Sequence, residues 1–276
     1  MTRLSQAFAA ARAEGRPARI PFLTAGDPVA SLTVPLCEAL ARAGADIIEL
    51  GVPFSDPLAD GPTIQRASER ALSQQVGLAR ALEMAGAARE RLSTALVLFT
   101  YYNPILRMGE ESFVEAAARA GLDGVLVTDL PLEEGGPLRR RLCARGIDPI
   151  LLVAPTTDPT RLAESDREGR GFLYYISRTG VTGARDRLPE SLAAELAAVR
   201  GAVRLPVAVG FGISSAEQVR AAGKMADGVV VGSALTMVIE QAAREAGWTS
   251  GAPRAPEDLP ERLERAARDL FSGAAS

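Results

Sequence analysis

The chain contains no histidine, so acid–base work near neutral pH falls to carboxylates, tyrosines, cysteines or its one lysine, Lys224. Between Glu49 and Pro62 the sequence reads ELGVPFSDPLADGP. A carboxylate thus closes the apolar run ADIIEL, and a second one, Asp60, stands on the proline-rich loop that follows. A carboxylate on the face of a buried strand loses hydration, which raises its pKa or demands a partner; that cost is tolerated where a poised acid or base is needed. The plain alternatives are that Glu49 emerges past the strand end or pairs with a local arginine, and that Asp56 and Asp60 merely serve the turn. Pro53, Pro57, Gly61 and Pro62 stiffen this loop and help hold Asp60 over whatever lies behind it. A long, stiffened loop of this kind suits a lid or a docking surface.

Several other chemistries find no support. Imine formation needs a lysine at a strand end, whereas Lys224 follows a helix on the opposite side of the expected fold. No histidine supplies metal ligands, and the carboxylates are too dispersed to propose a magnesium site. No G-x-S-x-G elbow or nucleophile triad can be built. Cys37 and Cys143 each fall inside an expected helix and read as small hydrophobes.

The elements that must position the two acids repeat with one rhythm. Short apolar runs are expected as strands at 19–24, 46–50, 95–100, 124–128, 149–153, 172–177, 207–209 and 228–231, alternating with helical stretches such as 28–43, 77–92, 112–120 and 216–222. Eight such repeats in a chain of 276 residues, 47% apolar, point to a single (β/α)8 TIM barrel with an extra N-terminal helix over residues 1–16. Residues 247–276 are expected as a linker and a final helix, 261–270, packed on the barrel. Gly44, Gly121, Gly146, Gly201 and Gly223 follow alanine- or arginine-rich helices and are expected to end them in the left-handed conformation. A net charge of −3 gives no basic face for nucleic acid; Arg139–Arg141 reads as a solvated helix face. No cleavable leader or run of about 18 apolar residues is recognised, so a soluble, cytoplasmic protein is expected.

In such a barrel chemistry sits at the C-terminal strand ends. Three consecutive ends carry glycines: Gly180 and Gly183 in RTGVTG, Gly210 and Gly212 in VGFGIS, and Gly232 with Ser233 in VVVGSAL. Each glycine alone can be a turn residue. Together, at neighbouring strands, they suit a phosphate group, because glycine lets backbone amides approach an anion and helix N-termini attract it.

With these residues in place, four segments resemble the tryptophan synthase alpha chain family: PFLTAGDP from Pro21, ELGVPFSDPLADGP from Glu49, SRTGVTG from Ser177 and VGFGIS from Val209. The resemblance implies retro-aldol cleavage of indole-3-glycerol phosphate to indole and glyceraldehyde 3-phosphate, without a cofactor or metal in this chain. It makes Glu49 the general acid–base and Asp60 the group that stabilises the indole ring N–H. It assigns the indole pocket to Phe22, Phe99 and Tyr101, with Asp129 and Tyr174 beside it and Thr182 closing toward Asp60. Gly183, Phe211, Gly212, Gly232 and Ser233 would hold the phosphate. The resemblance also implies a pyridoxal-phosphate-dependent beta chain as partner in an αββα heterotetramer, with contacts near Pro53 and Asp56. The stretch GWTSGAPRAPEDLP is longer and less regular than the family suggests. Two other readings are compatible with parts of the chain: a different phosphate-binding barrel, for example an isomerase, and a non-catalytic barrel kept to bind a partner.

Overall fold

Strands that are apolar on both faces must be covered on both, one face by the barrel interior and the other by helices. The computed structural model describes residues 1–176, 191–210 and 212–272. Its strands are β1 (Ala18–Thr24), β2 (Ile47–Gly51), β3 (Ala95–Thr100), β4 (Gly124–Val127), β5 (Asp148–Val153), β6 (Leu173–Ile176), β7 (Val207–Gly210) and β8 (Gly228–Val231). They close in chain order into an all-parallel barrel, β8 returning to pair with β1. The expected (β/α)8 fold is therefore present, with strand ends displaced by a residue or two.

The helices are α1 (Arg3–Ala13), α2 (Thr33–Arg42), α3 (Pro62–Leu72), α4 (Leu78–Arg89), α5 (Tyr102–Met108), α6 (Glu110–Arg119), α7 (Gly136–Ala144), α8 (Pro159–Glu168), α9 (Leu192–Ala202), α10 (Ala216–Gly223), α11 (Ser233–Glu245) and α12 (Leu259–Ser272). Leu4, Phe8 and Ala11 of α1 pack with Ile20, Ile47, Val97, Leu126 and Ile150 to plug the N-terminal mouth. The final helix is longer than expected and buries Leu259, Leu263, Ala267 and Phe271 against α2, α10 and α11.

Several expectations need correction. The segment 28–43 is not one helix: a cis Asp27–Pro28 bond and a short 3₁₀ turn at Ala30–Leu32 precede α2. Gly44, Gly121 and Gly146 do adopt positive φ, but Gly201 lies inside α9 and Gly223 is the last residue of α10 without it. Gly223 is needed for closeness, since a Cβ there would lie 2.6 Å from Pro17 Cγ. Arg139 is not a solvated cation; it is buried, donating to the Leu132 carbonyl at 2.8 Å, while Arg140 and Arg141 are exposed.

Helix α3 begins two residues after Asp60. Gly61 starts it, Pro62 fits its first turn, and Ile64, Ala67 and Ala71 form its buried stripe. Arg70 grips Asp27, beyond β1, through a bidentate pair at 2.6 and 2.9 Å, both side chains being nearly inaccessible. Gln74 donates to the Gly26 and Pro28 carbonyls and accepts from Ala30 N–H. Arg66 makes a second bidentate pair with Glu240 of α11, and the Trp248 indole N–H donates to Pro28 O at 2.9 Å. The Asp60 loop is thereby braced against both the β1 loop and the C-terminal region.

Burial raises the Asp27 pKa to about 6 even though Arg70 pulls it down. Arg70→Met should cost about 3–5 kcal/mol of stability, because it strands a buried carboxylate. Without Arg70 the folded-state pKa of Asp27 climbs further above its unfolded value, so the deficit should be larger at pH 8 than at pH 4. Urea unfolding at both pH values checks this, and an equal loss at each would contradict it.

Candidate active site

Along β2 the residues Ile48 and Leu50 belong to the outer core shared with the helices. Alternation therefore turns Ile47, Glu49 and Gly51 toward the barrel axis. Glu49 pairs in register with Phe22 on β1 and Val97 on β3. Its exposure is 0%, neither carboxylate oxygen has a hydrogen-bond partner, and burial pushes its pKa up to about 8. The floor beneath is dry for a traceable reason. Val97 pairs with Gly124, and a Cβ on Gly124 would lie 2.9 Å from Leu4 Cδ1, so α1 seats a leucine in the barrel interior two strands from Glu49. Neither solvent nor an arginine relieves this acid.

Asp60 lies across the same cavity, itself buried. Its backbone N–H donates to Pro57 O at 3.0 Å, and the Gln65 side chain holds its carbonyl at 2.8 Å. The Tyr101 hydroxyl donates to Asp60 Oδ2 at 3.1 Å and accepts from Ala59 N–H at 3.1 Å, and the Tyr101 ring stacks on Phe54 with centroids 4.8 Å apart. Burial raises the Asp60 pKa to about 6, partly offset by the Tyr101 bond.

A cavity of about 60 Å³ lies between these acids and the ends of β7 and β8. One wall is aromatic: Phe22 and Phe99 meet edge to face at 5.4 Å and 82°, with Tyr174 beside them. Gly51 and Gly210 make room for these rings, since a Cβ would lie 2.4 Å from Phe22 Cζ or 2.1 Å from Tyr174 Oη. The opposite wall is Gly210, Gly212, Gly232 and Ser233. Ser233 is the first residue of α11 and Gly232 caps it, so that helix's unpaired amides and positive end face the cavity.

Of the residues singled out in the sequence, Phe22, Glu49, Asp60, Phe99, Tyr174, Gly212, Gly232 and Ser233 line this one cavity. Tyr101 does not line it but stands behind Asp60 as its hydrogen-bond donor. Asp129 is not at the cavity either: it is exposed and accepts from Tyr102 N–H at 2.6 Å, capping α5. Thr182, Gly183 and Phe211 lie outside the described residues. Two lining residues, Ile64 and Val230, were missed. Val230 was legible, because alternation on β8 turns it inward with Gly228 and Gly232; Ile64 required α3 to be recognised. Among the described residues no cluster of three or more acidic or cysteine side chains could hold a metal ion, and no helix is long and apolar enough to cross a membrane.

A closed parallel barrel with buried acids facing a glycine wall at a helix N-terminus defines a class: the (β/α)8 enzymes that work at the C-terminal mouth. Within it, the chain belongs to the tryptophan synthase alpha chain family, whose sequence model matches residues 8–255. It is 50% identical over 246 residues to the tryptophan synthase alpha chain of Ralstonia nicotianae, covering 89% of this chain and 93% of that one. The corresponding chain of Burkholderia thailandensis is 51% identical over 246 residues, covering 89% and 91%. Among solved structures, Mycobacterium tuberculosis tryptophan synthase superposes with a TM-score of 0.88 at 36% identity, covering 100% of this chain and 99% of that one. A tryptophan synthase complex from Pyrococcus furiosus gives 0.82 at 37% identity, covering 93% and 98%.

Proposed function

We propose that this chain cleaves indole-3-glycerol phosphate to indole and D-glyceraldehyde 3-phosphate, as the lyase subunit of a cytoplasmic tryptophan synthase. The observation that carries this reading is Glu49: a wholly buried, partnerless carboxyl facing a cavity with a phosphate-sized amide wall at one end and aromatic rings at the other. With a pKa of about 8 it is protonated at neutral pH and can act as an acid. Its proton goes to the indole ring carbon that bears the glycerol chain, making a ring iminium. The bond from that carbon to the side chain then breaks, and its electron pair neutralises the iminium and restores the indole. The side-chain hydroxyl becomes the aldehyde and returns its proton to Glu49. The acid ends as it began, and the substrate is its own electron sink, so neither lysine nor metal is required.

Asp60, ionised above about 6, sets a negative charge beside the ring nitrogen as positive charge develops there. Phe22, Phe99 and Tyr174 form the apolar slot for the ring. Gly212, Gly232 and Ser233, with Gly183 and Phe211, hold the phosphate. Purified protein incubated with indole-3-glycerol phosphate, alone and with a beta chain, should release indole; no indole in either case would refute the assignment.

The phosphate wall has a clean test. Gly212 sits at φ +47, where any side chain is strained, so substitution there mixes stability with binding. Gly232 has φ −111, and a Cβ on it would meet only ordinary contacts, 3.5 Å from Phe22 Cβ. Gly232→Ala should therefore melt like the parent while KM rises about tenfold, from crowding at the amide wall. An unchanged KM would remove the phosphate from this wall.

The partner reading is a beta chain carrying pyridoxal phosphate, in an αββα assembly, with this chain contributing no residue to that cofactor's chemistry. Around the cavity mouth Asp56 is exposed, and Leu58 and Leu106 are 82% and 59% exposed. Pro53 itself is buried, so it would shape the contact from beneath.

A further inference from the structure

Among the described residues, three buried side-chain oxygens have no hydrogen-bond partner: both carboxylate oxygens of Glu49 and Oγ1 of Thr24. They lie on neighbouring strands. Thr24 ends β1, and Leu23 and Ala25 on either side of it belong to the outer core, so alternation turns Thr24 toward the barrel axis, as it does Phe22 two residues earlier. Phe22 is the register partner of Glu49, and Thr24 that of Gly51. Thr24 thus stands one step nearer the mouth, diagonally across from Glu49. Diagonal neighbours on adjacent strands have Cβ atoms within about 8 Å, a gap a long side chain can span; the space over Gly51 beside that path holds the Phe22 ring, which must shift for the two groups to meet.

The two orphans are complementary, one a hydroxyl donor and the other an acceptor. A buried hydroxyl without a partner is costly to keep, and valine would fill the same volume on a strand without that cost. We infer that Thr24 is a positioning residue for the retro-aldol step: when Glu49 swings toward the mouth to meet substrate, the Thr24 hydroxyl donates to its carboxylate and fixes the working rotamer. This rests on the assignment of Glu49 as the acid–base group. The bond favours the ionised carboxylate that remains after the proton has gone to the ring carbon, so it acts on the step rather than on substrate capture. Among the described residues, the other titratable groups lining the cavity with Glu49 are Asp60 and Tyr174, the latter titrating far above neutrality, and neither shares a strand with Thr24.

Thr24→Val and Thr24→Ser test this, with Glu49→Gln measured alongside. Thr24→Val should lower kcat about tenfold or more, the worth of a hydrogen bond to a charged group, with KM nearly unchanged. The alkaline limb of its pH–rate profile should move upward, since the ionised form of Glu49 loses a donor. Its melting temperature should equal or exceed that of the parent, and Thr24→Ser should restore most of the rate and the original profile. If Thr24→Val keeps the parental kcat and profile while Glu49→Gln is inactive, the inference fails and the assignment of Glu49 stands. A fall in rate that tracks a fall in melting temperature, with an unmoved profile, would make Thr24 merely structural and equally overturn it. An active Glu49→Gln variant would overturn both.

Discussion

Glu49→Gln should reduce kcat by about a thousandfold, within the range supplied by a positioned general acid–base, while substrate still binds with nearly parental affinity. The amide keeps the shape and cannot give or take the proton, whereas the glycine and aromatic walls are untouched. The same substitution should alter how stability depends on pH, with a sign fixed by the direction of the shift. The folded-state pKa, about 8, lies above the ordinary value of 4.5. The folded protein therefore binds the proton more tightly than the unfolded chain, and this contribution is fully present below about 4.5 and lost as pH rises toward about 8. Glu49→Gln removes the group and that slope with it. Urea unfolding should show the variant gaining on the parent between pH 5 and pH 8; parallel stability profiles would mean that Glu49 is not desolvated as described.

Asp60→Asn should lower kcat by about a hundredfold or more, the loss expected when a preorganised charge opposite a developing one is removed, with a small effect on KM. Asparagine can still accept from the Tyr101 hydroxyl, so the loop should stay in place and melting should change little. The parental pH–rate profile should be bell-shaped, because the proposed mechanism needs Asp60 ionised, above about 6, and Glu49 protonated, below about 8. Asp60→Asn should erase the acid limb and leave the alkaline one. A variant that keeps both limbs would show that another group titrates near 6 and that Asp60 serves only the turn.

Much of this site was legible because its signals are local. An apolar run ending in Glu49 announces a strand with a misplaced charge, and glycines at the ends of β7 and β8 announce a close approach to the backbone. What stayed hidden depends on partners remote in sequence. Asp129 looked like a pocket residue until its carboxylate was found capping α5, and Tyr101 looked like a pocket ring until its hydroxyl was found on Asp60. Arg139 sits in a run of arginines that reads as surface, and only the Leu132 carbonyl shows why it turns inward. Helix α3 was obscured by the prolines before it, although Ile64, Ala67 and Ala71 carry its periodicity. Thr24 gave no sign at all, because an unsatisfied hydroxyl is visible only once every neighbour has been placed.

The leucine that α1 seats in the barrel interior links the burial of Glu49 to the closing of the barrel. Helix α1 reaches its seat only after strands scattered over the next two hundred or so residues have come together around it. Until then that end of the barrel is uncovered, and Glu49 should be less desolvated than in the finished fold. Its raised pKa should thus report how fully the barrel has closed around it.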